Sequence, residues 1–133
     1  MRVKLQDGFW LIFLLFGLLQ MSSGLQSLCI LCREPEHWNW LSNDPEVLDY
    51  LNVTWRWIGV TSMAFGLILL VITVTGYVRR ERWAWFVMWI WPAYLITQGI
   101  TFPYTWPMMG ALLFFSLIAL IVPIRRFFPN QIV

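Results

Sequence analysis

The chain has 133 residues, of which 59% are hydrophobic, 18% are aromatic and only 12% are charged. An average globular chain has about half apolar and about a quarter charged residues, so these values exclude a soluble domain; they also exclude a disordered chain, which needs low hydrophobicity and high charge. The net charge of +2 gives no reason to expect a nucleic-acid partner. The composition and the mean hydropathy of +0.66 therefore predict an integral membrane protein.

Four apolar segments are long enough to cross about 30 Å of hydrocarbon as helices. They are too long, too continuously apolar and too few to be barrel strands, and helices satisfy their own backbone hydrogen bonds in lipid. We therefore predict an all-α fold, a polytopic membrane protein whose single domain, residues 1–133, is a four-transmembrane-helix bundle. The predicted spans are 8–31, 57–77, 83–102 and 106–124, and Pro92 is expected to kink the third.

The first segment also has features of a cleavable signal peptide. It has a basic start, an apolar core and small residues at Ser22, Ser23 and Gly24. Cleavage would leave three spans, and we favour an uncleaved first span. A lipoprotein site is disfavoured because Leu28, which is not a small residue, precedes Cys29.

Basic residues are distributed unevenly over the predicted connections. Seven of the nine lie before the first span, between the second and third spans, or after the fourth. The other side receives only Arg33 and Arg56, together with five acidic residues. Because cytoplasmic connections carry the excess of Lys and Arg, both termini are predicted to be cytoplasmic. The expected location is the cell membrane, as a multi-pass protein of a bacterial inner membrane.

The only sizeable predicted loop, 33–55, lies on the outer side. Within it, Asp44, Pro45 and Glu46 are the residue types favoured at the N-cap, the first position and the first turn of a helix. A helix is therefore expected to begin there and either to lie at the membrane surface or to run into the second span. Asn52 begins an N-glycosylation pattern, whose use is not expected so near the membrane.

Small residues of the second span share one helical stripe. Small side chains on one face let helices pack closely in lipid, and we interpret this stripe as a helix-packing surface. Its members are Gly59, Ser62, Gly66, Thr73 and Gly76.

Two further stripes are polar, and both fall in the outer half of the predicted bundle. Because uncompensated polar groups are costly in hydrocarbon, these side chains are expected to point inward. Two interpretations stay open: hydrogen bonds between helices, which we favour, or a ligand-binding pocket for a lipid-like molecule or a quinone. The first stripe is Gln20, Ser23 and Ser27, and the second is Tyr94, Thr97, Gln98 and Thr101. The absence of ionisable residues from the predicted spans argues against an ion-coupled transporter.

Cys29 and Cys32 form the one motif with its own chemistry, at the predicted outer end of the first span. A disulfide between them would persist in that compartment, C-x-x-C thiols exchange readily, and Arg33 could stabilise a thiolate. Covalent haem attachment needs a histidine where Arg33 stands. A zinc site that uses His37 lacks a second ligand pair, so no metal is predicted. We favour a structural or incidental pair over a catalytic redox pair.

In topology and in its Cys29-Ile30-Leu31-Cys32 motif, the chain resembles the disulfide-forming quinone reductases of the DsbB type. Those are four-helix membrane proteins with both termini cytoplasmic, and the resemblance implies electron transfer from the thiol pair to a quinone. The chain departs from that family in three respects. The connection from Phe102 to Trp106 has no second cysteine pair, a long loop follows the motif, and the arginine comes directly after it.

A looser resemblance covers more of the chain. The sequence WRWIG at the start of the second span and RRERWAW before the third are similar to those of small bacterial four-helix membrane proteins of the DoxX-like kind. This resemblance implies the four-helix fold and no activity.

These features lead to a non-enzymatic function as the main hypothesis. The chain is expected to be a small accessory or scaffold subunit, or a bundle that binds a hydrophobic ligand, without a cofactor. The expected partners are the lipid bilayer, other membrane subunits or a lipid-like ligand, and no nucleic acid. The alternative is a membrane thiol-disulfide oxidoreductase that passes electrons between Cys29 and Cys32 and a quinone.

Overall fold

The computed structural model describes residues 8–33 and 38–129, without the side chains of residues 30–33. Within these ranges the chain is helical and has no strand, so the predicted all-α class is confirmed. The elements are α1 (Trp10–Arg33), α2 (Pro45–Ile72), a π turn (Thr73–Tyr77), α3 (Arg82–Met88), α4 (Ile90–Thr101), a 3-10 turn (Pro103–Thr105), α5 (Trp106–Ile121) and α6 (Ile124–Phe127).

Three helical segments of the described chain are long and apolar enough to cross a membrane. They are Trp10–Cys29, Pro45–Tyr77 and Pro103–Ile121. The prediction of a membrane protein with transmembrane helices is supported to this extent. The third predicted span, 83–102, is divided between α3 and α4, and each of these is shorter than the roughly 20 residues that a span needs.

The second apolar segment begins earlier than predicted, so the helix includes part of the predicted 33–55 loop. Asp44 caps α2, because its Oδ1 accepts a hydrogen bond of 3.0 Å from the Glu46 N–H. The helix start predicted at this position is confirmed, and the helix continues unbroken into the apolar segment. From Pro45 to Tyr77 the helical segment has 33 residues and is about 50 Å long. It therefore exceeds the hydrocarbon thickness of about 30 Å.

The third apolar run is interrupted at Trp89, three residues before Pro92. Proline lacks an N–H group and its ring collides with the carbonyl group four residues earlier, which here belongs to Met88. The Trp89 N–H donates a hydrogen bond of 3.2 Å to the Phe86 carbonyl oxygen, three residues earlier. The helix is therefore tighter at this point than a regular α-helix. The predicted proline kink is thus a one-residue interruption between α3 and α4, one turn before the proline itself, at which Trp89 keeps a helical backbone conformation.

The chain groups into two compact units. The hairpin unit is Phe16–Ile68, and the terminal unit comprises the residues up to Leu15 and from Leu69 onward. Each has its own packing, through glycines in the hairpin unit and through aromatic side chains in the terminal unit.

In the terminal unit, side chains from other elements donate hydrogen bonds to carbonyl groups at the C-terminal end of α5. Pro123 has no N–H group to donate to the Ala119 carbonyl oxygen, and the last carbonyls of any helix lack partners within it. The Tyr77 hydroxyl donates to the Ala119 carbonyl oxygen instead. The Trp85 indole N–H donates to the Leu120 carbonyl oxygen at 3.0 Å. Both bonds are buried, so these carbonyls are satisfied without water.

These bonds fix the direction of the neighbouring elements. The π turn and the start of α3 lie beside the C-terminal end of α5, where Gly76 packs against Trp83 and Ala84. Because α5 has 16 residues, its other end lies about 24 Å away. There, Gly99 of α4 lies against the Trp106 ring. Together α3 and α4 therefore run the length of α5 in the opposite direction.

Replacing Tyr77 by Phe tests the hydrogen bond from its hydroxyl to the C-terminal end of α5. The change removes the hydroxyl donor and leaves the buried Ala119 carbonyl without it, so we expect the free energy of unfolding to fall by about 1–3 kcal/mol. The measurement is denaturant unfolding of the purified protein in detergent. Tyr104→Phe is the control, because its side chain is 81% exposed, and its effect should stay within about 0.5 kcal/mol. Equal stability of the two variants would contradict this role for Tyr77.

Candidate functional site

In the hairpin unit, α1 and α2 approach each other through four buried glycines, which we call the glycine seam. A Cβ atom on Gly24 would lie 2.6 Å from the Gly59 carbonyl oxygen, and one on Gly66 would lie 2.8 Å from the Gly17 carbonyl oxygen. Seven residues separate the two glycines on each helix, so the antiparallel register brings both pairs together. Because backbone atoms are in the way, no larger residue fits at Gly24 or Gly66 without moving the helices apart.

The structure places the rest of the predicted packing stripe in both units. Ser62, in the hairpin unit, accepts a hydrogen bond of 3.4 Å from the Gln20 side-chain amide. Thr73 and Gly76 lie in the terminal unit, where the buried Thr73 hydroxyl donates to the Leu69 carbonyl oxygen at 2.7 Å. Three residues of the predicted stripe therefore face α1, namely Gly59, Ser62 and Gly66. The other two, Thr73 and Gly76, pack around the π turn.

Hydroxyl groups of both predicted polar stripes bond within their own helices. The Ser27 hydroxyl donates to the Ser23 carbonyl oxygen at 3.0 Å. The Thr97 hydroxyl donates to the Ala93 carbonyl oxygen, and the Thr101 hydroxyl to the Thr97 carbonyl oxygen, both at 2.9 Å. Hydroxyls that bond one turn back are satisfied locally, so these three need no partner on another helix.

The other members of the second stripe are half-buried. Tyr94 stacks on the buried Trp91 ring with 5.5 Å between centroids, and Gln98 lies one turn further along α4. The first stripe belongs to the hairpin unit and the second to the terminal unit. A ligand pocket formed by both stripes stays a prediction.

Cys29 lies near the C-terminal end of α1 as an exposed free thiol. Cys32 and Arg33 belong to the same helix, but their side chains lie outside the described residues, as does all of His37. The redox pair and its quinone therefore stay predictions. Among the residues that the structure does describe, no group of three or more His, Cys, Asp and Glu side chains could hold a metal ion.

A cavity of about 170 Å³, which we call the basic cavity, lies in the terminal unit. It is bounded by the start of α1, by the turn after α2 and by α6. Its walls are mainly aromatic and apolar, with two arginines among them. They include Phe9, Trp10, Tyr77, Arg80, Arg126 and Phe127.

Tyr77 fixes one wall of the basic cavity. Its ring centroid lies 5.2 Å from that of Phe13 and 4.9 Å from that of Phe127, while its hydroxyl is bonded to Ala119. The hydrogen bond of Tyr77 to the end of α5 therefore also holds this wall of the cavity in place.

Arg80 reaches the cavity from an unusual backbone conformation. Its φ is +62°, in the left-handed region that glycine adopts without steric cost. The Arg80 N–H donates to the Tyr77 carbonyl oxygen at 3.0 Å, and the next N–H, of Glu81, donates to the Gly76 carbonyl oxygen at 3.0 Å. This is a helix C-terminal turn, in which glycine is the usual left-handed residue. In the sequence, Arg80 is one of the basic residues between the second and third predicted spans, and no pattern there marks it as a cavity residue.

The chain matches no protein-family model, no curated protein and no solved structure. Its function is therefore inferred from its own residues.

Gly24→Ala tests the glycine seam. The added methyl group collides with the Gly59 backbone, so we expect a loss of about 1–3 kcal/mol in the free energy of unfolding. Gly110→Ala is the matched control on α5, because a Cβ atom there meets no atom within 4 Å. That variant should be unchanged or up to about 1 kcal/mol more stable, since alanine is the better helix former. If both variants unfold alike in detergent, the close contact between α1 and α2 is wrong.

Proposed function

We propose that the chain is a non-enzymatic accessory or scaffold subunit of the membrane, whose partners are other membrane helices. One observation carries this proposal. In the most apolar stretches of the three candidate spans, only 28%, 22% and 17% of the residues are buried inside the chain. Most of the surface of each helix is thus available to lipid and to neighbouring proteins.

The way in which α1 and α2 pack also favours a scaffold role. The glycine seam brings the two backbones together, with the side chains of Met21, Leu28 and Met63 packed against it. Other bulky aliphatic residues lie on the outer faces. Leu18, Val60 and Leu67 are examples, and all three are exposed. Ridges of such side chains pack into the grooves of other helices, so a close helix pair with aliphatic outer faces suits contact with further subunits.

On α5, Phe114 and Phe115 add an aromatic element to this outer surface. Both rings are exposed, and they meet edge to face with 5.8 Å between centroids. Aromatic side chains bury a large area at protein contacts, so this pair is a second position at which a partner helix is expected.

The proposed arrangement has four spans, and α3 with α4 forms the third. Residues 82–101 would be about 30 Å long as a helix, which matches the hydrocarbon core. The pair runs antiparallel to α5 from end to end, so it crosses the membrane if α5 does. The proposed cytoplasmic end is the one at which α5 ends, because basic residues concentrate there. They are Arg79, Arg80, Arg82, Arg125 and Arg126.

Cysteine labelling tests the four-span arrangement in a Cys29→Ser, Cys32→Ser background. Ser42→Cys, before α2, is expected to react with a membrane-impermeant maleimide added to intact cells. Glu81→Cys, before α3, is expected to react only after permeabilisation. Phe13→Cys is the control, because that side chain is fully buried and should not react in either case. Labelling of Ser42→Cys and Glu81→Cys from the same side would contradict the arrangement.

Photo-crosslinking tests the partner role. A photoreactive phenylalanine analogue at Phe114, which is 62% exposed, is expected to form discrete protein adducts in native membranes. The same analogue at the fully buried Phe13 should form none. Adducts with lipid alone would contradict the proposal. Quinone-dependent oxidation of Cys29 and Cys32 in the purified, reduced protein would instead favour the oxidoreductase.

A further inference from the structure

We propose that the basic cavity binds the phosphate group of an anionic membrane lipid. The proposal concerns a ligand site in the terminal unit and does not depend on the scaffold role. Two observations meet there: arginines from distant parts of the chain line the same cavity, and one of them occupies a backbone conformation that glycine would adopt more easily.

The charge at the cavity suits a phosphate group. Arg80 follows α2 and Arg126 belongs to α6, yet both line the cavity. A guanidinium group presents a planar fork of N–H donors that matches two phosphate oxygens. The other basic residues that the structure describes at this end, Arg79, Arg82 and Arg125, are also arginines. At this end the structure describes five arginines and one carboxylate, Glu81, and two of the arginines line the cavity.

The conformation of Arg80 is the second observation. A left-handed φ is unfavourable for a residue with a Cβ atom, and residues held in such conformations concentrate at functional sites. The turn itself needs only a left-handed residue at this position. An arginine there places a guanidinium in the cavity wall at a conformational cost. Arg80 and Arg126 each interact with other groups of the protein as well.

The cavity walls favour a lipid phosphate over a free phosphate ion. Phe9, Trp10 and Phe127 give the cavity an aromatic lining, and tryptophan is enriched at the level of lipid headgroups. The volume of about 170 Å³ is many times what one water molecule needs, but it is too small for acyl chains. Such chains would lie outside, along exposed apolar side chains beside the cavity such as Val78 and Val122.

Thermal stabilisation of the purified full-length chain in detergent tests the proposal. The probes are dioleoylphosphatidylglycerol, dioleoylphosphatidylcholine and inorganic phosphate. We expect a saturable rise in Tm with phosphatidylglycerol and none with phosphatidylcholine. Inorganic phosphate should act only at far higher concentration. Equal stabilisation by the two lipids would overturn the proposal, and inorganic phosphate that acts at the same concentration as phosphatidylglycerol would overturn the assignment to a lipid.

Two double variants separate the cavity from the general surface charge. Arg80→Gly with Arg126→Gln removes the arginines that line the cavity, and glycine suits the backbone at position 80. Arg79→Gln with Arg125→Gln removes the same charge from adjacent exposed positions. The first pair should weaken the apparent affinity for phosphatidylglycerol at least about tenfold, since one charge-assisted hydrogen bond corresponds to about that factor. The second pair should weaken it by no more than about threefold, and equal weakening by both pairs would overturn the proposal.

If the double variant Arg80→Gly with Arg126→Gln does not fold, a single variant tests the site instead. Arg126→Lys keeps the positive charge and the length of the side chain but loses the planar fork. We expect weaker binding of phosphatidylglycerol with an unchanged Tm in the absence of lipid. Unchanged binding together with an unchanged Tm would remove Arg126 from the site and overturn the proposal.

Discussion

Two backbone carbonyl groups at the end of α5 constrain the whole terminal unit. Where water is excluded, an unsatisfied carbonyl costs several kcal/mol, and Pro123 ensures that the Ala119 carbonyl has no partner within its own helix. Tyr77 and Trp85 meet this need from two different elements. The π turn, the start of α3 and the end of α5 must therefore lie together. The wall of the basic cavity follows from the same arrangement, since Tyr77 serves both.

The hairpin unit is held together by a different kind of contact. Lipid chains are as apolar as leucine, so burial of apolar side chains gives little drive for helices to associate in a membrane. Close backbone contact supplies van der Waals attraction instead, and only glycine allows it at Gly24 and Gly66. A polar hydrogen bond from Gln20 to Ser62 lies within the same unit. This unit therefore depends on the smallest side chains of the chain, whereas the terminal unit depends on some of the largest.

Features that arise within one segment could be predicted from the sequence, and features that need two segments could not. Composition predicted the helical membrane class, and Asp44 predicted the start of α2 because a cap acts on the next turn. Gly59 and Gly66 were visible as a stripe, but the role of Gly17 and Gly24 depends on the register between helices. The left-handed φ of Arg80 belongs to a local turn that lacks the usual glycine, and the cavity around it is formed by three distant segments. Pro92 predicted the kink, because a proline acts on the preceding turn of its own helix, and the interruption lies there, at Trp89.

The length of α2 determines what this protein presents to the aqueous phase. A helical segment of about 50 Å in a hydrocarbon layer of about 30 Å leaves about 20 Å to extend past it. The part from Pro45 onward carries Glu46, Asp49 and the exposed Tyr50. The N-terminal end of α2 is thus a helical, acidic segment capped by Asp44. If the segment crosses the membrane along its normal, this end stands in water as a helix, and a soluble protein that approaches it meets a rigid acidic surface.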